Sequence, residues 1–358
     1  MRLVVILTLI VLAPLAWALF KALRRKSAPS GPVGSREFAP ASIELAGSEP
    51  FEIAAHLYES TGAPILDFEA LDDWAAQATS QEAGRRARQA GHRAWLLHMR
   101  DWLGTHAELV ETPDAWVLSG YAPGQARALG EFVSTSRRRI NQLLEPLARF
   151  PEQERSTLIT FDNGDDYYRY VANFYPDEGE FALSGGMFIK AGCPHFVAVL
   201  NNLWILEPVI AHEMTHFALA HLSLPLWLDE GLEVNTEHRV SASSQHHTRT
   251  IELLKQHQEF WNDATIQEFW TGESFHRTDE GNSLSYDLAR AIVNLAGRDW
   301  DAFVRFATTA RREDGGAAAA REALGVDLGE LAVAAINAKA KGPWNPRPEA
   351  WKRVSAKA

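Results

Sequence analysis

The sequence predicts an α+β fold dominated by helices. Apolar residues recur at helical spacing over much of 42–103 and 124–150, and again from Glu230 to about Lys341. Alternating or turn-bounded runs at 106–121, 158–161, 184–190 and 195–200 supply a small set of strands between them. With 358 residues and 46% hydrophobic side chains, the chain holds one large or two modest domains around a sizeable core.

Taken in order, Leu3 to Phe20 is an uninterrupted eighteen-residue stretch without a charge. That is the lower end of what spans a bilayer. Ala16-Trp17-Ala18 has the A-x-A form of a cleavage site, so a removed signal peptide is the rival reading. The length of the apolar run, and Lys21, Arg24, Arg25 and Lys26 directly after it, favour an uncleaved membrane anchor over 1–26. Residues 27–41, rich in Ser, Pro and Gly, read as a flexible linker. Residues 42–150 form a mostly helical N-terminal region with a strand pair around Thr112-Pro113-Asp114.

A second region covers 151–341. Leu158-Ile159-Thr160-Phe161 is a strand, and Asp162-Asn163-Gly164-Asp165 turns into a helix bearing Tyr167, Tyr168 and Tyr170. Ser184 to Lys190 and His195 to Leu200 are two strands joined by Ala191-Gly192-Cys193-Pro194. Residues 342–358, with Pro343, Pro346 and Pro348, read as a loop-like tail.

The net charge of −11 argues against a nucleic-acid partner, because phosphate binding needs a basic face. Arg85-Arg86-Ala87-Arg88 and Arg137-Arg138-Arg139 fall in helix-like segments and read as solvated faces. Cys193 is the only cysteine, which excludes an intrachain disulfide.

The chemistry is concentrated in His212-Glu213-Met214-Thr215-His216, which follows the apolar run Leu206 to Ala211. On a helix, residues four apart share a face, so both imidazoles reach one cation with Glu213 beside them. The pattern H-E-x-x-H fits a zinc site in which the Glu acts as general base. Such a site needs a third protein ligand and an open position for water. Fourteen residues after His216 stands Glu230, within Leu224-Pro225-Leu226-Trp227-Leu228-Asp229-Glu230-Gly231-Leu232-Glu233. Pro225 suits the turn that opens a second helix, which could fold back and bring Glu230 to the metal. Asp229 beside it is a candidate acceptor for the outer N–H of a metal-bound histidine, or simply an acid favoured at a helix N-terminus. His221 lies one more turn along from His216, and His195, His246 and His247 are read as solvated or structural.

H-E-M-T-H followed by L-P-L-W-L-D-E-G-L resembles the gluzincin metallopeptidases, closest to the bacterial peptidase MA-like group, over roughly Thr157 to Asn337. The resemblance implies a zincin-like catalytic domain, a small sheet whose edge strand precedes the H-E-x-x-H helix, and Zn2+ held by His212, His216 and Glu230. It implies Glu213 as the base. It also implies that an extended peptide or protein substrate pairs with that edge, at Gly185, Gly186 and Met187, where glycines allow close backbone approach. Tyr286, downstream of the third ligand, is the implied donor to the oxyanion. The sequence departs from the group at one place. Such proteins often carry an acid four residues after the ligand Glu. Here Val234 stands there, and the acid is Glu233.

The expectation is therefore a membrane-anchored zinc metallopeptidase of a bacterial inner membrane. The basic flank alone puts the catalytic part in the cytoplasm, whereas the related peptidases usually act outside it, and both orientations stand. A zinc-bearing peptide-binding or scaffold protein with little turnover is the alternative, although binding alone does not need Glu213. A structural fold with a coincidental H-E-x-x-H is a third reading.

Overall fold

The computed structural model describes residues 36–59, 61–150, 155–175, 185–241, 251–337 and 344–351. The chain divides into two units, Met1–Phe38 and Ala39–Ala358. The first is described only at 36–38, where Phe38 is exposed. The described strands and helices all lie in the second.

Residues 42–66 differ from the helical expectation. They form two short antiparallel pairs, β1 (Ser42–Ile43) with β2 (Phe51–Glu52) and β3 (Leu57–Glu59) with β4 (Pro64–Leu66). The turn residues Gly47-Ser48 and Gly62, with positive φ at both glycines, and Pro50 and Pro64 leave room only for a single 3-10 turn, Ile53–His56, and no α-helix. Helices begin at α1 (Phe68–Ala75), whose N-cap Asp67 accepts the Ala70 N–H, and α2 (Gln81–Leu103), capped likewise by Ser80.

The strand pair around Pro113 is present as β5 (Glu108–Glu111) and β6 (Ala115–Ser119). Next, α3 (Pro123–Leu143) starts on a proline and stops three residues before Pro146, which cannot continue a helix. β7 (Ser156–Phe161), α4 (Gly164–Val171), β8 (Gly186–Ile189) and β9 (His195–Val199) follow as the sequence indicates. Ser184, placed at the start of a strand, lies outside the described residues.

Five strands form one mixed sheet in the order β5-β6-β7-β9-β8. The central pairs β6–β7 and β7–β9 are parallel, and the outer pairs β5–β6 and β8–β9 are antiparallel. The boundary expected near residue 150 is therefore crossed by the sheet itself, and Ala39–Ala358 is one unit. Alternation sorts the strand residues to two faces. Val117, Leu158, Phe196 and Ala198 join a core with α3 and the helices that come after β9. Trp116, Leu118, Ile159, Phe161 and Val197 join a second core with α1, α2 and α4. Buried on both faces, the central strands are mostly apolar, with Ser119, Ser156, Thr157, Thr160 and His195 as buried polar exceptions.

The rest of the chain is helical: α5 (Leu203–Leu219), α6 (Leu226–Val240), α7 (Ile251–Phe260), α8 (Thr265–Thr271), α9 (Gly281–Ala296), α10 (Trp300–Thr309), α11 (Ala317–Leu324) and α12 (Leu328–Ala335). The fold is thus α+β with helices dominant. The expected loop-like tail is irregular over 344–347 and differs from the expectation in its packing and at 348–351. Trp344 is buried, its carbonyl accepts the Trp270 indole N–H at 2.8 Å, and Pro348–Trp351 makes a helical turn. Large apolar rings at Trp344 and Trp351 hold this stretch to α8 despite its prolines.

The membrane assignment is also corrected. No helix among the described residues is long and apolar enough to cross a membrane. The run Leu3 to Phe20 on which the anchor rested lies outside the described residues, as does most of the linker.

Candidate metal centre

The centre is built on two consecutive helices. α5 opens with Asn202, whose side chain accepts the Trp204 N–H at 3.0 Å. It is apolar on nearly every side because it lies between the sheet and other helices, burying Leu206, Ile210, Met214 and Ala218. The helix ends at Leu219, so His221 lies beyond it. Pro225 caps α6, as the sequence suggests. Trp227 anchors that helix, fully buried and donating its indole N–H to the Gly315 carbonyl at 2.9 Å. The two helices pack on each other, which turns the polar stripe of α6 onto His212 and His216.

His212, His216, Glu230 and Glu233 form one cluster in which a nitrogen or oxygen from each lies within 4.8 Å of the others. His212 Nε2 is 3.3 Å from Glu230 Oε2 and 3.9 Å from Glu233 Oε2. On the far side of the same ring, Nδ1 is 3.5 Å from Glu237 Oε2. His216 Nδ1 faces Asp229 Oδ2 at 3.5 Å and makes a close approach to Glu233 Oε1. Asp229 thus stands where an acceptor for a histidine N–H would be. Glu237 stands in the same relation to His212. Sequence reasoning missed it and left Glu233 without a role, although Glu230, Glu233 and Glu237 follow the i, i+3, i+7 spacing of one helical stripe.

The donor set fits a divalent cation. Glu233 is fully buried and Glu230 nearly so, yet Glu230 Oε2 and both Glu233 oxygens have no aligned hydrogen-bond donor among the described residues. Burying a carboxylate without compensation costs roughly several kcal/mol per ion. Two imidazoles with carboxylates are ligands suited to zinc.

The electrostatics of the cluster reflect the same crowding. Burial works against charge on His212, but the carboxylates of Glu230 and Glu237 outweigh it and hold the ring well above its ordinary pKa. His216 is raised in the same way, against burial, chiefly by Glu233 and Asp229. Burial, with the Asp229 charge beside it, pushes Glu233 well above the usual carboxylate range.

Glu213 is half-buried on α5 between the two histidines, and its Oε2 accepts the Phe188 backbone N–H at 2.8 Å. Phe188 belongs to β8, at the end of the sheet. In the β8–β9 register Gly186 pairs with Ala198 and Phe188 with Phe196, while the Val199 N–H donates to the Gly185 carbonyl. By antiparallel alternation, Gly186 and Phe188 turn their N–H and C=O groups away from β9. Gly185 is exposed with open space around it. Gly186 is buried, and a Cβ there would lie 2.4 Å from Val209 Cγ1, so its small size brings β8 against α5. The Met187 side chain is buried in the core on the opposite face of the sheet.

Tyr286 sits on α9, which packs closely on α6 at Gly231. Its ring meets Phe275 edge-on at 5.1 Å. Burial, and then the fields of Glu230, Glu233 and Glu213, raise its phenol above the ordinary pKa. The structure therefore sets Tyr286 within electrostatic reach of all three carboxylates. His195 lies away from the metal group, among aromatic rings under α2. His246 and His247 lie outside the described residues. No protein-family model matches the chain, and no curated protein matches it.

Proposed function

We propose that the chain is a zinc-dependent hydrolase that cleaves peptide bonds. The single observation that supports this best is the cluster of half-buried His212 and His216 with buried Glu230 and Glu233, in which Glu230 Oε2 and both Glu233 oxygens have no aligned donor among the described residues, with Glu213 beside it. His212, His216 and Glu230 would hold the ion, and Glu233 and Glu237 would orient the histidine rings. When bound, zinc supplies Lewis acidity and lowers the pKa of water toward about 7.

The remaining steps belong to the protein. Glu213 takes a proton from the attacking water and later gives it to the leaving amine. The Tyr286 phenol, kept protonated by its surroundings, donates to the oxyanion that develops on the attacked carbonyl. The outward backbone groups of Gly186 and Phe188 pair with an extended substrate and fix its carbonyl near Glu213. In that arrangement Glu213 exchanges the Phe188 N–H for the water it activates.

The test is metal analysis with peptide cleavage on the full chain. Wild type purified without chelators should carry about one zinc per chain. Glu213→Gln should keep the metal and lose hydrolysis. Metal-free wild type would refute the reading. A second reading, a peptide-binding protein with little turnover, is favoured by the Glu213 bond to Phe188, which occupies the carboxylate. Equal peptide capture by wild type and Glu213→Gln, with cleavage by neither, would select it.

A further inference from the structure

Of the two basic runs read as solvated faces, Arg86, Arg138 and Arg139 are exposed as expected, whereas the other arginines have a different place in the fold. Arg85 and Arg88 on α2, Arg137 on α3, and Arg155 just before β7 line one open cleft of about 170 Å³. Its wall also holds Ser156 and Phe217. Among the described residues Asp72 is the one acid in the lining, with Arg88 Nε 3.8 Å from its Oδ1. The other carboxylates nearby are shared. Glu82 serves both Arg85 and Arg86, and Glu111 serves both Arg93 and Arg155. Positive charge is thus gathered at one place on a chain of net charge −11.

Two of these guanidiniums are held in fixed planes. Arg155 lies over the Trp116 ring at 5.3 Å and donates to Glu111 at 3.0 Å. Arg137 lies over Phe150 at 5.1 Å, and Phe150 in turn meets Phe217 edge-on at 5.5 Å. A guanidinium fixed by stacking loses little freedom when it binds a second group. The cleft wall carries an unsatisfied group. Ser156 is only 3% exposed, yet its Oγ has no hydrogen-bond partner among the described residues. Leaving such a hydroxyl unsatisfied is costly, and a shift of the cleft wall that exposed it would relieve it.

We propose that this cleft binds a small, multiply charged oxyanion of the phosphate or polycarboxylate type, gripped by Arg88 and Arg155. The planar fork of arginine matches both kinds of oxyanion. The half-buried His92 ring next to Arg88 is neutral at pH 7, its pKa lowered to about 4 chiefly by desolvation and then by the neighbouring Arg88. It adds no repulsion and offers a neutral polar edge. The cleft is one helical turn along α5 from the base, because Phe217 follows Glu213 by four residues. The proposal does not depend on the hydrolytic reading.

Isothermal titration of the full chain with inorganic phosphate and, separately, tricarballylate tests it. One of the two should saturate a single site, and which one does so separates the phosphate source from the carboxylate source. Arg88→Gln and Arg155→Gln should each weaken binding at least about tenfold. Arg155→Lys should restore only part of it, because lysine lacks the fork. Arg305→Gln, at an exposed position on α10, is the control and should bind as wild type does. If Arg155→Gln fails to fold because Glu111 loses a partner, Arg88→Gln decides alone. Absence of saturation by either anion, or equal binding by all variants, overturns the proposal. So does binding that vanishes after metal is stripped with EDTA and the chelator removed, since the anion would then belong to the metal centre.

Discussion

Gly231→Ala tests how the metal centre is assembled. An alanine in a helix interior is ordinarily stabilising, by about 1 kcal/mol relative to glycine. Here two close contacts oppose that gain. A Cβ at Gly231 would lie 2.8 Å from the Ala289 carbonyl oxygen and 2.7 Å from Val293 Cγ2 on α9. The Val293 methyl can rotate away. The Ala289 carbonyl cannot, because it is part of the helix backbone and accepts the N–H four residues on. The helices must separate by a few tenths of an ångström or more, and overpacking of this kind costs about 1–3 kcal/mol. Asn235 would be strained as well, since its amide bridges the Gly231 carbonyl at 2.7 Å and the Arg290 carbonyl at 2.9 Å. The expected net result is a loss of about 1–2 kcal/mol in urea denaturation. Because α9 carries Tyr286 toward the carboxylates, any hydrolytic activity should fall more steeply than metal content. The measurement is made on zinc-loaded and chelated protein, to separate packing from metal linkage. A variant as stable as wild type, or more stable, would refute the view that Gly231 sets the distance between α6 and α9.

Three further outcomes are expected. Chelation should lower the melting temperature and zinc should restore it, by the equivalent of about 4 kcal/mol at a thousandfold excess over Kd; an unchanged melt would remove the metal from the fold. Glu233→Gln should weaken zinc binding, measured by competition with a chromophoric chelator, by about 10- to 100-fold, as expected for a partner of a metal-binding histidine. Acid should destabilise the fold through His92 and His195, whose pKa values are lowered to about 4, mainly by burial. The unfolded chain takes up these protons near the ordinary 6.5, so their contribution is intact above that pH and lost as pH falls toward 4. At about pH 5 the loss is roughly 2 kcal/mol per ring. His195→Asn should flatten the pH dependence of the urea midpoint between pH 7 and 5, and an undiminished slope would count against this assignment.

The centre was partly legible in the sequence because helical spacing is local. His212 and His216 needed only one helix, and Glu230 needed only the break at Leu224-Pro225. Glu233 and Glu237 could have been found by the same spacing, but their use depends on how α6 rotates against α5, which no local pattern gives. The short pairs β1–β2 and β3–β4 were missed because strands of two or three residues are too brief to set a period. Trp344 was missed because its prolines read as loop, whereas a ring's burial is decided by the surface it meets. The arginine cleft could not be read at all, since Arg88, Arg137 and Arg155 are brought together by two helices and a strand distant in sequence.

The bond from the Phe188 N–H to Glu213 ties the proposed base to the sheet's pairing frame. β8 is only four residues long, and Gly186 keeps it against α5. A slip of one residue against β9 would turn the Phe188 N–H inward to the sheet and present a neighbour's side chain to the opposite face. Glu213 would lose its donor without any change in its own helix. The Glu213 carboxylate is therefore aligned by the counting of residues in a strand, and an insertion or deletion in the Ala191–Pro194 turn should disturb it as surely as a substitution within its own helix.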